Sequence, residues 1–401
     1  MVTFSQILFL INKMKKIAIL GSTGSIGKST LDVVSKDKEF KIEILVANKN
    51  LKEIIHQIKV FNPKIVILNN YKTYLQIKKK IKNRKIKIFS DLSSIKKIKN
   101  KIDYTISAIP GIAGLEPTLE FVRLSKEILI ANKESIICGW SLLSREAKKH
   151  SVKLTSIDSE HYSISQIIKN YKTDQIETVY ITASGGPFLK LPKDKFKKIK
   201  PSDAIKHPKW KMGKKISIDS STMVNKVLEV SEAFKLFSLR LNQYKILIHP
   251  ESLIHAIVKL KNGLSIFLFH QPDMKIPISN ALNANNFFLK NFKQNNNEFN
   301  KPTKLNFEKI DLKKFPVVEM INKINEKESS LIVFNAANEV YVDQFLKNNI
   351  DFTAISRYLN LLIKDKNFNK ISNMKSNTLS RIKEIDALAR SFSVKILKEN
   401  Q

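Results

Sequence analysis

Cysteine is almost absent from this 401-residue chain, with Cys138 the only one. A single thiol excludes an intrachain disulfide and a thiolate metal cluster, and it fits a reducing compartment such as the cytoplasm. Long apolar runs are missing as well. The run within residues 1–13, MVTFSQILFLINK, is too short to span a bilayer and lacks both a charged start and a small-residue cleavage site. It reads as a dispensable extension, with Met14 standing directly before the first strand. No other stretch has the length and apolarity of a membrane helix. Acidic residues are scarce too, 36 Asp and Glu against 70 Lys and Arg, for a net charge of +34. Alone, that excess points to nucleic acid or an anionic membrane. The lysines, however, are spread through nearly every segment alongside frequent Ile and Asn, with no basic face carrying interleaved aromatics. Neither nucleic acid nor membrane is therefore expected as a partner, while the field favours phosphorylated substrates.

A chain of this length holds two or three domains. It starts with a short apolar strand, KKIAIL at 15–20, that runs into GSTGSIG, where Gly21, Gly24 and Gly27 precede a helical pattern. Such a strand, glycine turn and helix let the backbone approach a pyrophosphate at a helix N-terminus, although an ordinary tight turn reads the same way. The next strand, IEILVANKN, ends about 20 residues on, where a dinucleotide fold meets the adenosine ribose. No acid stands there. Asn48, Lys49 and Asn50 do, and a lysine attracts the 2′-phosphate that a carboxylate would repel, so NADP is favoured over NAD.

Further strands are expected near KIVIL, KIKIF and YTISAI. EILIA at 127–131 delivers Asn132, Lys133 and Glu134 to the sheet edge where ligands bind, although Glu134 taken alone reads as a solvated loop residue. VKLTSI at 152–157 delivers Asp158, Ser159, Glu160 and His161. Two acids at i and i+2 after a strand can converge on one hard cation, Mg²⁺ or Mn²⁺ in the absence of thiolates. ETVYITAS then carries Ser184 into Gly185 and Gly186. The lysine-rich segment beyond it, about 185–214, shows little apolar periodicity and reads as a mobile lid with Trp210 as its exposed apolar contact.

The stretch HPKWKMGKKISIDSSTMVNKVLE, 207–229, is the most suggestive of all. Asp219, Ser220 and Ser221 are N-cap types, and Val227, Val230, Phe234 and Phe237 have a helical period, so a helix is expected to begin near Ser221. Thr222, Asn225, Lys226 and Glu229 then form a polar stripe, which is either a solvated face or a ligand face. His207, Trp210 and Gly213 stand among lysines before the serines, an anion-binding arrangement, and Glu229 close to an anion calls for a cation between them. Asp158, Glu160 and Glu229 would make a three-carboxylate site. Downstream, two antiparallel strands flank Lys261, Asn262 and Gly263, and His249, His255 and His270 read as packed residues. Residues 290–306 read as linker, and helical periods from Leu312 indicate a C-terminal helical domain.

Taken in order, GSTGSIG, ANKES, SIDSEHYSI, TASGGPF, HPKWKMGKKISIDSSTMVNKVLE and HPESLIHAIV resemble the 1-deoxy-D-xylulose 5-phosphate reductoisomerase family of the non-mevalonate isoprenoid pathway. The resemblance implies an α/β fold: a Rossmann-like NADP-binding domain, an α+β catalytic domain with a lid, and a C-terminal α-helical bundle, assembled as a homodimer. On this chain the boundaries become an extension at 1–13, a nucleotide domain at 14–157, a catalytic and dimerisation domain at 158–289, a linker at 290–311 and a helical domain at 312–401. The implied activity is NADPH-dependent rearrangement and reduction of a phosphorylated sugar with Mg²⁺, Mn²⁺ or Co²⁺. The implied metal ligands are Asp158, Glu160 and Glu229, and Ser184, Ser220, Asn225 and Lys226 would hold the substrate phosphate. Ser159, Lys133 and His207 fall to the substrate backbone, and Thr23, Gly24, Ser25, Ile26, Lys49, Asn50, Asn132, Glu134 and Gly213 fall to NADPH. Asn48 and Val227 stand where the family commonly has glycine. Two other readings compete: a different NADP-dependent oxidoreductase sharing only the first domain, and a basic nucleic-acid-binding protein.

Overall fold

The computed structural model describes residues 14–83, 85–98, 101–210, 213–283 and 304–400. The extension at 1–13 and most of the expected linker lie outside them. Among the described residues the chain forms two compact units, one of 14–135, 143–158 and 274–283, the other of 136–142, 159–273 and 304–400.

The first unit is a doubly wound sheet. Its elements run β1 (Lys15–Leu20), α1 (Ser25–Ser35), β2 (Phe40–Ala47), α2 (Leu51–Phe61), β3 (Ile65–Leu68), α3 (Tyr71–Lys80), β4 (Lys87–Phe89), β5 (Ile102–Ser107), α4 (Leu115–Val122), β6 (Ser125–Ile130), α5 (Lys133–Lys149) and β7 (Lys153–Ser156). The seven strands are parallel in the order β4-β3-β2-β1-β5-β6-β7, so the order reverses beside β1. Strand sequences such as IAIL and ILVA are apolar at successive positions because helices cover both faces. Ile17 and Ile19 bury into one cluster and Ala18 and Leu20 into another, as alternation along a strand requires.

The second unit contains α6 (Ser159–Ile168), β8 (Ile176–Ala183), α7 (Pro201–Ala204), α8 (Lys214–Ser221), α9 (Val224–Leu236), β9 (Tyr244–Ile248), β10 (Ile254–Leu260) and β11 (Ser265–Phe269). With β12 (Glu308–Lys309) its sheet is mixed, in the order β11-β10-β8-β9-β12, with β8 and β9 parallel and the other pairs antiparallel. The expected hairpin around Gly263 is present as β10 and β11.

The division differs from the expected one in several places, the first being that residues 136–142, in the middle of α5, group with the second unit. Helix α10 (Lys275–Leu282), which falls inside the expected 158–289 domain, buries Ile278 and Leu282 in the core of the first unit. At the end of the expected linker, β12 (Glu308–Lys309) pairs with β9. The chain closes with α11 (Ile321–Ile324), α12 (Glu328–Leu346), α13 (Phe352–Lys364), α14 (Lys366–Ser372) and α15 (Leu379–Glu399), and these belong to the second unit. Helix α12 is buried on most of its surface, with Leu331–Phe334 fully buried and Ser329, Ser330, Asn335 and Asn338 buried beside them, which is the pattern of a helix inside a bundle.

Candidate active site

In the first unit the candidate nucleotide residues share one sheet edge, the carboxyl ends of β1, β2 and β6. Gly21 follows β1 with φ +86°, and a Cβ there would lie 2.7 Å from the Ala108 carbonyl oxygen. Its N–H and that of Ser22 both donate to the Val46 carbonyl at 3.0 Å, tying the turn to β2. Gly27 is packed still more tightly, since a Cβ would meet the Gly21 oxygen at 2.5 Å. Thr23, Gly24, Ser25 and Ile26 lead into the first turn of α1. Asn48, Lys49 and Asn50 follow β2 and are exposed, and the Asn50 side chain caps α2 by accepting from the Glu53 N–H at 3.2 Å. Asn132 caps α5 through the Ser135 N–H at 2.7 Å and donates to Glu134 Oε2 at 3.0 Å. Glu134 is buried, so the solvated-loop reading of that residue fails: the cap turns its carboxylate inward. Lys133 is buried as well and pairs with Asp158 at 3.0 Å.

Asp158 and Ser159 are consecutive where β7 passes into α6, so Glu160 is delivered by the first turn of a helix rather than by an open loop. Glu160 is 9% exposed, Glu229 only 1%. Asp158, Glu160 and Glu229 each offer a carboxylate oxygen, and the three atoms lie within 4.8 Å of one another. An all-oxygen donor set of this kind fits Mg²⁺ or Mn²⁺. The Lys226 ammonium reaches Glu160 and, at 2.6 Å, Glu229 Oε2. Burial opposes the charge on Lys226, but the two carboxylates outweigh it and hold its pKa above the ordinary lysine value. Ser159 Oγ donates to Glu160 Oε2 at 2.5 Å, and Asn225 donates to Glu229 Oε1.

The helix expected to begin near Ser221 starts later. Ser220 and Ser221 end α8, whose first turn follows Gly213, and Met223 in the left-handed region (φ 65°) separates it from α9. The serines therefore stand at a helix C-terminus, and the positive dipole end belongs to α9, whose first turn carries Asn225 and Lys226. Thr222 lies before α9 and donates to the Ile218 carbonyl at 3.0 Å, so the ligand stripe reduces to Asn225, Lys226 and Glu229. Asp219 is structural, accepting from Asn338 at 2.7 Å and pairing with Lys215 at 3.0 Å. Val227, in a glycine position, is fully buried.

The lid segment also differs from expectation. Phe188, Phe196, Ile199 and Ala204 are buried, with Phe188 and Phe196 edge-on to Phe352 at 5.4 and 5.7 Å, so the stretch up to Ala204 has a core face. Trp210 is half-buried against His255, 5.9 Å between ring centroids, instead of exposed. His207 Nδ1 accepts from the N–H groups of Lys209 and Trp210, which leaves its proton on Nε2, 3.1 Å from Ser184 Oγ. Burial, helped by the Lys226 charge, pushes His207 down to about 4. The three downstream histidines are buried, as expected of packed residues.

Sequence reasoning missed Glu232, one helical turn beyond Glu229 and 1% exposed. Its carboxylate lies 3.5 Å from His161 Nδ1, and His161 Nε2 lies 2.9 Å from the Glu229 carbonyl oxygen. The pair braces the backbone that carries Glu229. A second acid at i+3 from Glu229 was the available signal.

Comparison with known proteins gives one family throughout. The 1-deoxy-D-xylulose 5-phosphate reductoisomerase profile matches residues 17–139, and its two C-terminal domain profiles match 154–237 and 269–392. The chain is similar to the 1-deoxy-D-xylulose 5-phosphate reductoisomerase of Pelagibacter ubique, 46% identical over 93% of this chain and 97% of that protein. It is also similar to that of a Wolbachia from Drosophila simulans, 38% identical over 96% and 98%. Among solved structures, a DOX-P reductoisomerase in complex with NADPH, fosmidomycin and magnesium superposes with a TM-score of 0.87 at 31% identity, covering 96% of this chain and 98% of that one. The Zymomonas mobilis enzyme in complex with NADPH gives 0.85 at 31% identity, over 97% and 100%.

Proposed function

The chain belongs to the 1-deoxy-D-xylulose 5-phosphate reductoisomerase family, and we propose from that premise which of its residues carry the reaction. It is an NADP-dependent oxidoreductase that converts 1-deoxy-D-xylulose 5-phosphate to 2-C-methyl-D-erythritol 4-phosphate, using NADPH and a divalent metal. The observation that supports the residue assignment best is the convergence of the Asp158, Glu160 and Glu229 oxygens within 4.8 Å around buried positions. A divalent ion held there supplies Lewis-acid stabilisation of developing negative charge on the substrate oxygens, and NADPH supplies the hydride.

The chain's own residues bind and orient. Lys226 and Asn225, in the first turn of α9, hold the substrate phosphate with Ser184 and Ser220. Neutral His207, its proton on Nε2, donates a hydrogen bond to substrate without adding charge. Lys133, beside Asp158, and Ser159, beside Glu160, position the substrate backbone. Around NADPH, the 23–26 turn meets the pyrophosphate and Lys49 the 2′-phosphate, with Asn48, Asn50, Asn132, Glu134 and Gly213 completing the contacts. Residues 206–210 and 213–214 take the part of a closing segment, the stretch before them being packed.

Two coarser points extend the proposal. A homodimer is supported by the edge strand β11, where Phe267 and the preceding Leu264 are exposed. No helix among the described residues is long and apolar enough to cross a membrane. A reducing cytoplasm suits the single cysteine, buried Cys138.

The test is NADPH oxidation with 1-deoxy-D-xylulose 5-phosphate, with and without divalent metal. Turnover should require both metal and this substrate. Undiminished turnover after EDTA treatment, or no oxidation in the presence of Mg²⁺ or Mn²⁺, would overturn the reading.

A further inference from the structure

We propose that Lys28 sets cofactor specificity by masking an acid: it neutralises Glu53, whose bare carboxylate would favour a ribose 2′-hydroxyl over a 2′-phosphate. This rests on the reading that Lys49 and its neighbours meet the NADPH ribose.

The end of β2 carries no acid, but the fold brings one close. Glu53 lies in the first turn of α2, shortly after Lys49 and Asn50, and its N–H donates to the Asn50 side chain at 3.2 Å. Its carboxylate turns toward the glycine turn. Gln57, one helical turn on and 1% exposed, donates to Glu53 Oε1 at 3.0 Å and to the Ser22 carbonyl oxygen at 2.9 Å. Glu53 is thereby linked to both segments assigned to the cofactor, the one for the pyrophosphate and the one for the ribose. In a dinucleotide fold a carboxylate placed there accepts from the 2′-hydroxyl of NAD. Left ionised and unpaired, it would repel the 2′-phosphate of NADPH.

Glu53 is ionised. Burial opposes its charge, but the bonds from Lys28 and Gln57 outweigh it and hold its pKa below the ordinary glutamate value. Lys28, near the start of α1, places its ammonium 3.1 Å from Glu53 Oε2. Among the described residues neither side chain has a second ion pair. Both partners reach solvent, so the pair adds little to stability. Its effect is on the field at the ribose. With Gln57 on Oε1 and Lys28 on Oε2, both carboxylate oxygens are engaged and the charge is offset. Lys49, in no ion pair among the described residues, is left as the uncompensated cation for the 2′-phosphate.

The test is calorimetric titration of the full chain with NADPH and with NADH, at low salt and without substrate. Lys28→Ala should weaken NADPH binding by about three- to tenfold and leave NADH within about twofold, at an unchanged melting temperature, and the loss should shrink as salt is raised. Adding Glu53→Gln, which keeps the acceptor for Gln57 and removes the charge, should return NADPH binding to within about twofold of the parent. Parent-like NADPH binding in Lys28→Ala, or an equal loss for both cofactors, would overturn the masking role. So would a loss that Glu53→Gln does not restore, which would make Lys28 a direct phosphate contact. Lys49→Ala separates this failure from failure of the underlying reading. If it too binds NADPH normally, the ribose lies elsewhere and the mask falls with it, whereas a loss in Lys49→Ala beside a normal Lys28→Ala removes the mask alone.

Discussion

The two halves of the chemistry are built from different materials. On the first unit most residues assigned to NADPH stand on an open rim, with Gly24, Ser25, Lys49 and Asn50 exposed and Asn132 and Glu134 the buried exceptions, and what is rigid in the glycine turn is backbone. Gly21 and Gly27 are positions where any side chain would collide with main-chain atoms. The carboxylate cluster is the reverse: Glu160, Lys226 and Glu229 are buried, and side-chain ion pairs define the geometry. A cofactor that enters and leaves each turnover suits a site whose shape lies in the main chain and whose side chains remain solvated. An ion that orders the reaction suits buried charges that desolvation makes strong.

The largest effect expected from this contrast is at Glu229. Glu229→Gln keeps the size of the side chain and removes one of three carboxylate charges, so turnover should fall by at least about 100-fold and metal affinity should drop. NADPH affinity, measured by fluorescence titration, should stay within about twofold because no cofactor contact is assigned to Glu229. A near-normal rate at limiting Mg²⁺ would show that the cluster is a structural ion-pair network and erase the contrast.

Backbone dependence predicts the next largest effect. In Gly27→Ala the new methyl would sit 2.5 Å from the Gly21 oxygen and 2.6 Å from Ser22 Cα, so the turn must move, at a cost of about 2 to 4 kcal/mol. Thermal melting should show the loss, and NADPH binding should weaken with it. At Gly213, assigned to the same cofactor, an added methyl would meet nothing within 4 Å, so Gly213→Ala should change stability by no more than about 0.5 kcal/mol. Equal behaviour of the two variants would mean that close packing is not what the glycine turn contributes.

These differences also explain what could be read from the sequence. The glycine turn, the parallel strands and the edge residues Asn132 and Lys133 were legible because backbone requirements leave local signatures: glycine spacing and continuous apolar runs. The joining of Glu160 to Glu229 was not legible from periodicity, since two segments 69 positions apart meet only through tertiary folding. It was suggested instead by charge, an acid beside an anion-binding stretch calling for a shared cation, and by the family resemblance. The break at Met223 left no signal, because the left-handed position that usually takes Gly or Asn is filled by methionine. The packed face of the lid segment was missed for another reason. Phe188, Phe196 and Ile199 sit in irregular and 3-10 turns among lysines, where no 3.6-residue period exists to be found.

A smaller effect is expected from the exposed rim. Lys49 faces solvent, and a charge-assisted contact to the 2′-phosphate is worth about 1.5 to 3 kcal/mol. Lys49→Ala should therefore raise the KM for NADPH by about 10- to 100-fold, leave the KM for NADH nearly unchanged, and leave the melting temperature where it was. Parallel increases for both cofactors would move the ribose away from the end of β2.

The smallest expected signal is an absence of titration on the buried side. His207 is pushed from 6.5 down to about 4, first by burial and second by the Lys226 charge. Below pH 6.5 the unfolded chain takes up a proton at this histidine that the folded chain refuses until about pH 4, so stability falls as the pH drops through that window. Above about pH 7.5 the residue is neutral in both states and contributes no slope. Long-range ¹H–¹⁵N correlation spectra should accordingly show His207 protonated on Nε2 alone from pH 8 down to 5, the form its Nδ1 bonds to Lys209 and Trp210 select. In Lys226→Met the secondary cause is gone and the dominant one remains, so the pKa should rise yet stay below 6.5. An inflection near 6.5 in the parent protein would show that the imidazole is solvated, and His207 would then belong with the open rim rather than with the buried cluster.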